Sequence, residues 1–313
     1  MTIARSRMGA LKPSINALLR AGLKPGLSTL RRLLGSALAC GALLTAAPAF
    51  AQFGPCTRAD LQSAADDYIA AQTSGDPSKM HFTLWVQYTE QNETASMANG
   101  VLSKPQKIDF HRTLVDPQSC STFTEVIITD PAHPYVLGTM VTARGGQVGA
   151  IDMLVTDRDD WLFNAANTLK YSSAETWTEI PPAERDSRET IIAAANAYLD
   201  LFNDKTVKVP WGSPCARLEG GLYTGKGAPG VATPEDTCNV GVPSGVKLVD
   251  RRYVVDETLG AVAVMLTFGT NQLPDIHTFR VEKGKLRYVH TITVCKTFNC
   301  GFKLPAQLQP PAG

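Results

Sequence analysis

The chain has 313 residues, and its 30 Lys and Arg against 29 Asp and Glu conceal an uneven division, because residues 1–51 hold seven of the basic residues and no acidic one. The apolar run 33–49, ending in Ala49-Phe50-Ala51, reads as a signal peptide with an A-x-A cleavage site rather than a membrane anchor. With those seven removed, 23 basic residues face 29 acidic ones, a net of −6, which argues against nucleic acid or an anionic membrane as the main partner, since both reward a basic surface.

The mature length of about 260 residues suffices for two packed domains of modest size. The first predicted element is a small-residue-rich amphipathic helix around Ala64-Ala65-Asp66-Asp67-Tyr68-Ile69. After a loop-rich segment comes the strand His111-Arg112-Thr113-Leu114-Val115-Asp116, then a turn and an apolar run. Arg144-Gly145-Gly146-Gln147-Val148 follows as a hairpin turn between alternating strands. Two prolines in Ile180-Pro181-Pro182-Ala183-Glu184-Arg185 stop this unit, and Ser187 is placed to cap the next helix.

The same order then repeats. Ala194-Ala195-Asn196-Ala197-Tyr198-Leu199 answers the first helix, Arg251-Arg252-Tyr253-Val254-Val255-Asp256 the strand, and Glu282-Lys283-Gly284-Lys285-Leu286 the hairpin turn. The offsets of about 130, 140 and 138 imply a duplication with an insertion near residues 211–245. The expected organisation is a first repeat over 52–182, a second over 183–303 and a frayed tail over 304–313. Strands are expected at 246–256, 261–268, 277–282 and 285–294. A helix followed by antiparallel strands makes an α+β layer, and a curved sheet wrapped around its helix encloses a cone open at one end. Two such barrels in tandem could form an internal pseudo-dimer.

Six of the seven cysteines lie in the mature part, and an even count in an exported chain reads as three disulfides with 15 possible connectivities. A pairing that follows the repeats joins Cys56 to Cys120, Cys215 to Cys238 and Cys295 to Cys300. No C-x-x-C spacing points to a cysteine metal site.

The segment His277-Thr278-Phe279-Arg280-Val281-Glu282-Lys283-Gly284-Lys285-Leu286-Arg287-Tyr288-Val289-His290, placed after a helix-first order, resembles the terminal strand pair of the nuclear-transport-factor-2-like superfamily, in its SnoaL-like and ketosteroid-isomerase-like branches. The resemblance implies cystatin-like, cone-shaped α+β barrels. Its members include isomerases, cyclases, dehydratases and a lyase acting on lignin-derived dimers, as well as non-catalytic domains. The strings Pro210-Trp211-Gly212-Ser213-Pro214-Cys215-Ala216-Arg217-Leu218-Glu219-Gly220-Gly221 and Asp275-Ile276-His277-Thr278-Phe279-Arg280 also resemble an exported domain family of unknown function found in fungi and some bacteria, over nearly the whole mature chain.

A two-residue Lys283-Gly284 turn sets His277 opposite His290. The two imidazoles are then cross-strand neighbours facing the cone, where a partly dry cavity depresses at least one pKa and keeps a neutral base. The same register in the first repeat sets Thr139 opposite Asp152. Arg251 and Tyr253 share a strand face with Val255, and Arg217 with Glu219 lies in the inserted segment. An Arg or Tyr donor beside a neutral base stabilises an oxyanion as a proton leaves, and Glu219 serves as a second acid/base, an orienter or a structural partner of Arg217. Core packing is the competing role for both histidines. A metal held by them would need Glu219 or Asp275 as a third ligand, and no metal is expected.

Tyr88, Glu90, Asn92, His111 and His133 in the first repeat follow no comparable pairing, and Trp161, Phe163 and Trp177 read as staples between the repeats. Phosphate-loop, nucleophile-elbow and metalloprotease strings are absent. The expectation is an exported, cofactor-independent lyase, dehydratase or isomerase that removes a proton from a small, apolar or aromatic substrate. A non-catalytic ligand-binding or interaction module of the same fold is the alternative.

Overall fold

A computed structural model describes residues 55–309; the expected signal peptide lies outside the described residues. Helix α1 (Arg58–Ser74) starts where the Thr57 hydroxyl accepts the Asp60 N–H at 3.1 Å, and stops at Gly75, whose positive φ of 66° suits a residue without a Cβ. It is followed by β1 (Phe82–Glu90), β2 (Glu93–Thr94), β3 (Phe110–Asp116), β4 (Ser121–Ile128), β5 (Tyr135–Arg144) and β6 (Gln147–Thr156). The connecting segment holds α2 (Ala165–Ser172), which the sequence reading did not anticipate. Helix α3 (Arg188–Asp200), capped by Ser187, then opens the second series, β7 (Trp211–Glu219), β8 (Leu222–Tyr223), β9 (Leu248–Asp256), β10 (Ala261–Phe268), β11 (Leu273–Glu282) and β12 (Lys285–Thr293).

Both series give the same six-stranded mixed sheet. The first has the order β2-β1-β6-β5-β4-β3 and the second β8-β7-β12-β11-β10-β9, with a parallel β1–β6 or β7–β12 pair and antiparallel neighbours elsewhere. This α+β arrangement has one more pairing than a simple run of hairpins, because the strand after each helix returns to the last strand of its own sheet. The length difference between the series falls mainly between β8 and β9, within the expected insertion.

Each sheet is buried on both faces. On one face, α1 supplies Leu61, Ala64 and Tyr68 to the first core and α3 supplies Ile191, Ala195 and Tyr198 to the second. The small alanines let helix and sheet approach closely. The opposite faces pack on each other through Leu114, Phe123 and Ile127 of the first sheet and Val254, Met265 and Ile276 of the second, with Phe163 and Trp177 beside them. Burial on both faces explains why β10 reads as a nearly continuous apolar run, whereas β4 is equally buried but carries Ser121, Thr122, Thr124 and Glu125.

Polar contacts between the repeats are reciprocal. Arg58 donates to Asp256, which also accepts the Val115 N–H at 2.9 Å; Arg188 donates to Asp116 at 2.8 Å, which also accepts the Val255 N–H at 2.9 Å. These pairs occupy matching positions in the two series. Three disulfides, Cys56–Cys120, Cys215–Cys238 and Cys295–Cys300, close within the repeats. The second fastens the insertion to β7. Among the described residues no helix is long and apolar enough to cross a membrane. In the segment expected to fray, a turn at Ala306–Leu308 buries Leu308, and residues 310–313 lie outside the described residues.

Candidate active site

The site is decided by one extra residue. Glu282 pairs with Lys285 as the two-residue turn requires, but between Arg280 and Val281 the ladder shifts, leaving Arg287 as a bulge in β12. From there on His277 faces Thr291 and Thr278 faces His290. Side chains alternate along a strand, so this slip sends the two histidines to opposite faces of the sheet. The cross-strand histidine pair expected from the turn is therefore corrected. Gly149 makes the equivalent bulge in β6, so Thr139 faces Met153, and Asp152 faces Met140.

His290 points into the contact between the sheets. Its Nδ1 lies 3.1 Å from Glu125 Oε1 and its Nε2 2.7 Å from Glu175 Oε2. Arg112 contacts Glu125 at 3.2 Å and lies over the Trp177 ring, and the Ser172 hydroxyl donates to Glu125 at 2.7 Å. Burial pushes the imidazole down, but Glu175 and Glu125 outweigh it and raise its pKa to about 9. Burial pushes Glu125 up, and His290 and Arg112 reverse that to about 2. His290 is thus an imidazolium between two carboxylates, which reverses the expected neutral base. His277 and His290 cannot share a metal across the sheet, and among the described residues no three His, Cys, Asp or Glu are placed to hold one.

His277 points to the α3 face, where it lines a pocket of about 410 Å³ together with Arg217, Glu219, Phe202, Trp161 and Thr291. The ladder builds this row: β7 places Glu219 beside Thr291 of β12, and β12 places Thr291 beside His277 of β11. Two residues away on the same strand face, Asp275 is fully buried, with Oδ2 2.7 Å from His277 Nδ1. The Thr293 hydroxyl donates to the other Asp275 oxygen at 2.5 Å. Tyr198 reaches in from α3, its ring centroid 5.6 Å from that of His277, and burial pushes its hydroxyl pKa up to about 12. Arg217 stands over the Tyr198 ring at 5.5 Å, donates to the Gly241 carbonyl at 2.8 Å and pairs with Glu219. Burial pushes the guanidinium pKa down.

Five of the nine buried side-chain N and O atoms without an aligned hydrogen-bond partner among the described residues belong to this cluster: Tyr198 Oη, Arg217 Nε, Asp275 Oδ2, His277 Nδ1 and Thr291 Oγ1. His277 Nδ1 and Asp275 Oδ2 face each other at ion-pair distance; the other three have no partner of their own. Buried polar groups are normally paired, so this concentration sets the cluster apart from the rest of the core.

The first repeat shows the same positions filled. Tyr68, the counterpart of Tyr198, bonds to Thr139 at 2.7 Å, and Thr139 is the counterpart of His277. Tyr88 and Glu90 replace Arg217 and Glu219, with the Tyr88 hydroxyl donating to Glu90 and the Val101 N–H donating to it at 2.6 Å. Val101 and Leu102 are buried against this core, where the second repeat carries its insertion instead.

Of the residues singled out from the sequence, His277, Arg217 and Glu219 meet at the pocket. Arg251 and Tyr253 do not line it. Both donate to Asn196 at 2.8 Å, and Arg251 also reaches Asp200 at 2.7 Å, so they hold α3 to β9. Trp161 is not purely a staple, because it lines the pocket beside Phe302. The sequence offers Asp275 only as a possible metal ligand and Tyr198 only as part of a helix echo. The D-x-H spacing on a strand and the i,i+4 pair Tyr198–Phe202 were the available signals.

No curated protein sequence matches the chain. Residues 184–293, the segment from the end of the linker to the last strand of the second sheet, are similar to a family described as a domain of unknown function (DUF8021).

Proposed function

We propose that the second repeat is a cofactor-independent enzyme of the lyase, dehydratase or isomerase type, acting by proton abstraction on a small, largely apolar molecule. The observation that carries this is the cluster of buried polar atoms without partners around His277. Asp275 beside Nδ1 orients the ring and leaves Nε2 for a substrate. In the reaction, Nε2 takes a proton from a C–H next to a substrate carbonyl, and the electron pair of that bond moves to the carbonyl oxygen as an enolate. Arg217, which lines the pocket, donates to that oxygen, and the Tyr198 hydroxyl, held as O–H by its high pKa, lies buried behind it. The imidazolium then returns the proton, to another carbon in an isomerisation or to a departing hydroxyl in an elimination of water. Glu219 holds Arg217 in place through their ion pair.

The proposal extends to the architecture and location. A helix followed by a wrapped six-stranded sheet supports a nuclear-transport-factor-2-like, SnoaL-like cone for each repeat, and three disulfides support export to an oxidising compartment. The filled first repeat acts as a structural partner in place of a second subunit.

The test is a screen of the oxidised mature protein against small aromatic and terpenoid alcohols and ketones, following heat-unfolding shifts and product mass together. The expected result is product that disappears in His277→Ala while the melting shift remains. Stabilisation of the wild type without product from any stabilising compound would replace the enzyme by a ligand-binding module.

A further inference from the structure

The pocket wall is not built by the second repeat alone. Trp161 comes from the segment that leaves the first sheet, and Phe302 from the tail beyond β12. Both lie outside residues 184–293, the part similar to a known domain family. Their rings meet edge to face, with centroids 5.6 Å apart and planes at 84°. Phe302 is 64 % exposed and Trp161 half-buried, so a broad aromatic surface stands at the mouth.

This mouth is held from behind. Asn299 is fully buried, its Oδ1 accepts the Leu162 N–H at 2.8 Å, and its Nδ2 donates to the Phe302 carbonyl at 2.6 Å. The Cys295–Cys300 bridge closes the same turn, and the Cys295 N–H donates to Asp160 at 2.6 Å. One buried amide thus ties the first repeat's loop to the tail and fixes both rings. Phe268 and Phe202 continue the aromatic lining inward. At the polar end, Arg217 is already paired with Glu219, the one carboxylate in the pocket lining, so an anionic ligand finds no unbalanced positive charge there, while a neutral oxygen can accept from the unpartnered Arg217 Nε.

We propose that Trp161 and Phe302 form a specificity gate that admits a neutral, planar aromatic molecule with one polar oxygen, which stacks at the mouth and directs the oxygen toward Arg217. The inference rests on the reading of the pocket as a ligand site, but not on the chemistry assigned to His277. A volume of about 410 Å³ is near the low end for small-molecule sites and suits one or two fused rings with a short substituent.

The test measures binding of 2-naphthol, its anionic isostere 2-naphthoate and the non-planar alcohol 2-decalol, by calorimetry, to the full mature protein and to Trp161→Ala, Phe302→Ala and His277→Ala. Each gate substitution is expected to weaken 2-naphthol by about ten-fold and to change 2-decalol by less than about three-fold, because only the planar ring loses stacking. 2-Naphthoate is expected to bind at least about ten-fold more weakly than 2-naphthol. Asn299→Ala is expected to lose the same planar preference without touching the ligand. Equal binding of naphthol and naphthoate, unchanged naphthol affinity in both gate variants, or no binding of any ring overturns the gate. Binding retained in His277→Ala with no turnover in the wild type leaves the gate standing and removes the enzyme reading, so the two failures are distinguishable.

Discussion

His277 and His290 sit on adjacent strands one residue out of register, and their rings lie on opposite faces of the same sheet. One joins the pocket cluster with Asp275, Arg217 and Tyr198. The other is sealed between Glu125 and Glu175 where the sheets meet. The two therefore respond differently to substitution.

His290→Gln is expected to destabilise the protein by about 3–5 kcal/mol, because it leaves two buried carboxylates facing one arginine. Adding Glu175→Gln to that variant is expected to restore part of the loss, since the remaining Glu125–Arg112 pair is balanced. Denaturant unfolding of both variants measures this, and an additive double variant would show that the cluster is not coupled.

The same cluster sets a pH window. The folded pKa of His290 is raised from 6.5 to about 9, so its contribution is complete below pH 6.5 and is lost as pH rises through 9. Glu125 is depressed from 4.5 to about 2, so its contribution is complete above pH 4.5 and is lost as pH falls through 2. Stability is expected to peak between those limits and to fall on the order of 3 kcal/mol on the alkaline side. Unfolding curves at pH 6 and pH 10 check this, and His290→Gln is expected to flatten that difference.

Beside the pocket, Asp275→Asn is expected to lower kcat by about 10²–10⁴ on a substrate found by the screen, with KM nearly unchanged, because it alters the orientation of His277 rather than a substrate contact. A rise in KM alone would place Asp275 in binding. Arg251→Ala, which loosens α3 from β9, is expected to lower stability more than it lowers kcat.

The reciprocal pairs between the repeats predict unequal losses. Arg188 is more enclosed than Arg58, with side chains 16 % and 36 % exposed. Arg188→Ala is therefore expected to cost about 1–3 kcal/mol and Arg58→Ala less. Thermal unfolding of the two single variants ranks them.

Non-reducing peptide mapping is expected to recover Cys56–Cys120, Cys215–Cys238 and Cys295–Cys300. Replacing Cys215 and Cys238 together is expected to cost about 3 kcal/mol, the loop-closure value for a bridge of this span, and to weaken ligand binding by releasing the insertion that carries Gly241 from β7. A bridge between the repeats would contradict the pairing.

Much of this was legible in the chain itself. The three ordered echoes disclosed two copies, because helix and strand periodicities are local properties that a duplication preserves. Ser187 marked a helix start and Lys283-Gly284 a tight turn for the same reason. Repeat logic also suggested three local bridges. What remained hidden was the bulge at Arg287, whose single extra residue leaves no mark in composition yet inverts every side chain beyond it. Only the tertiary structure decided which histidine meets the pocket, that Asp275 and Tyr198 stand beside that histidine, and that Trp161 and Phe302 line the pocket. Those contacts join strands, a helix and a tail far apart in sequence. Their proximity follows from register and packing, which no local pattern of residues encodes.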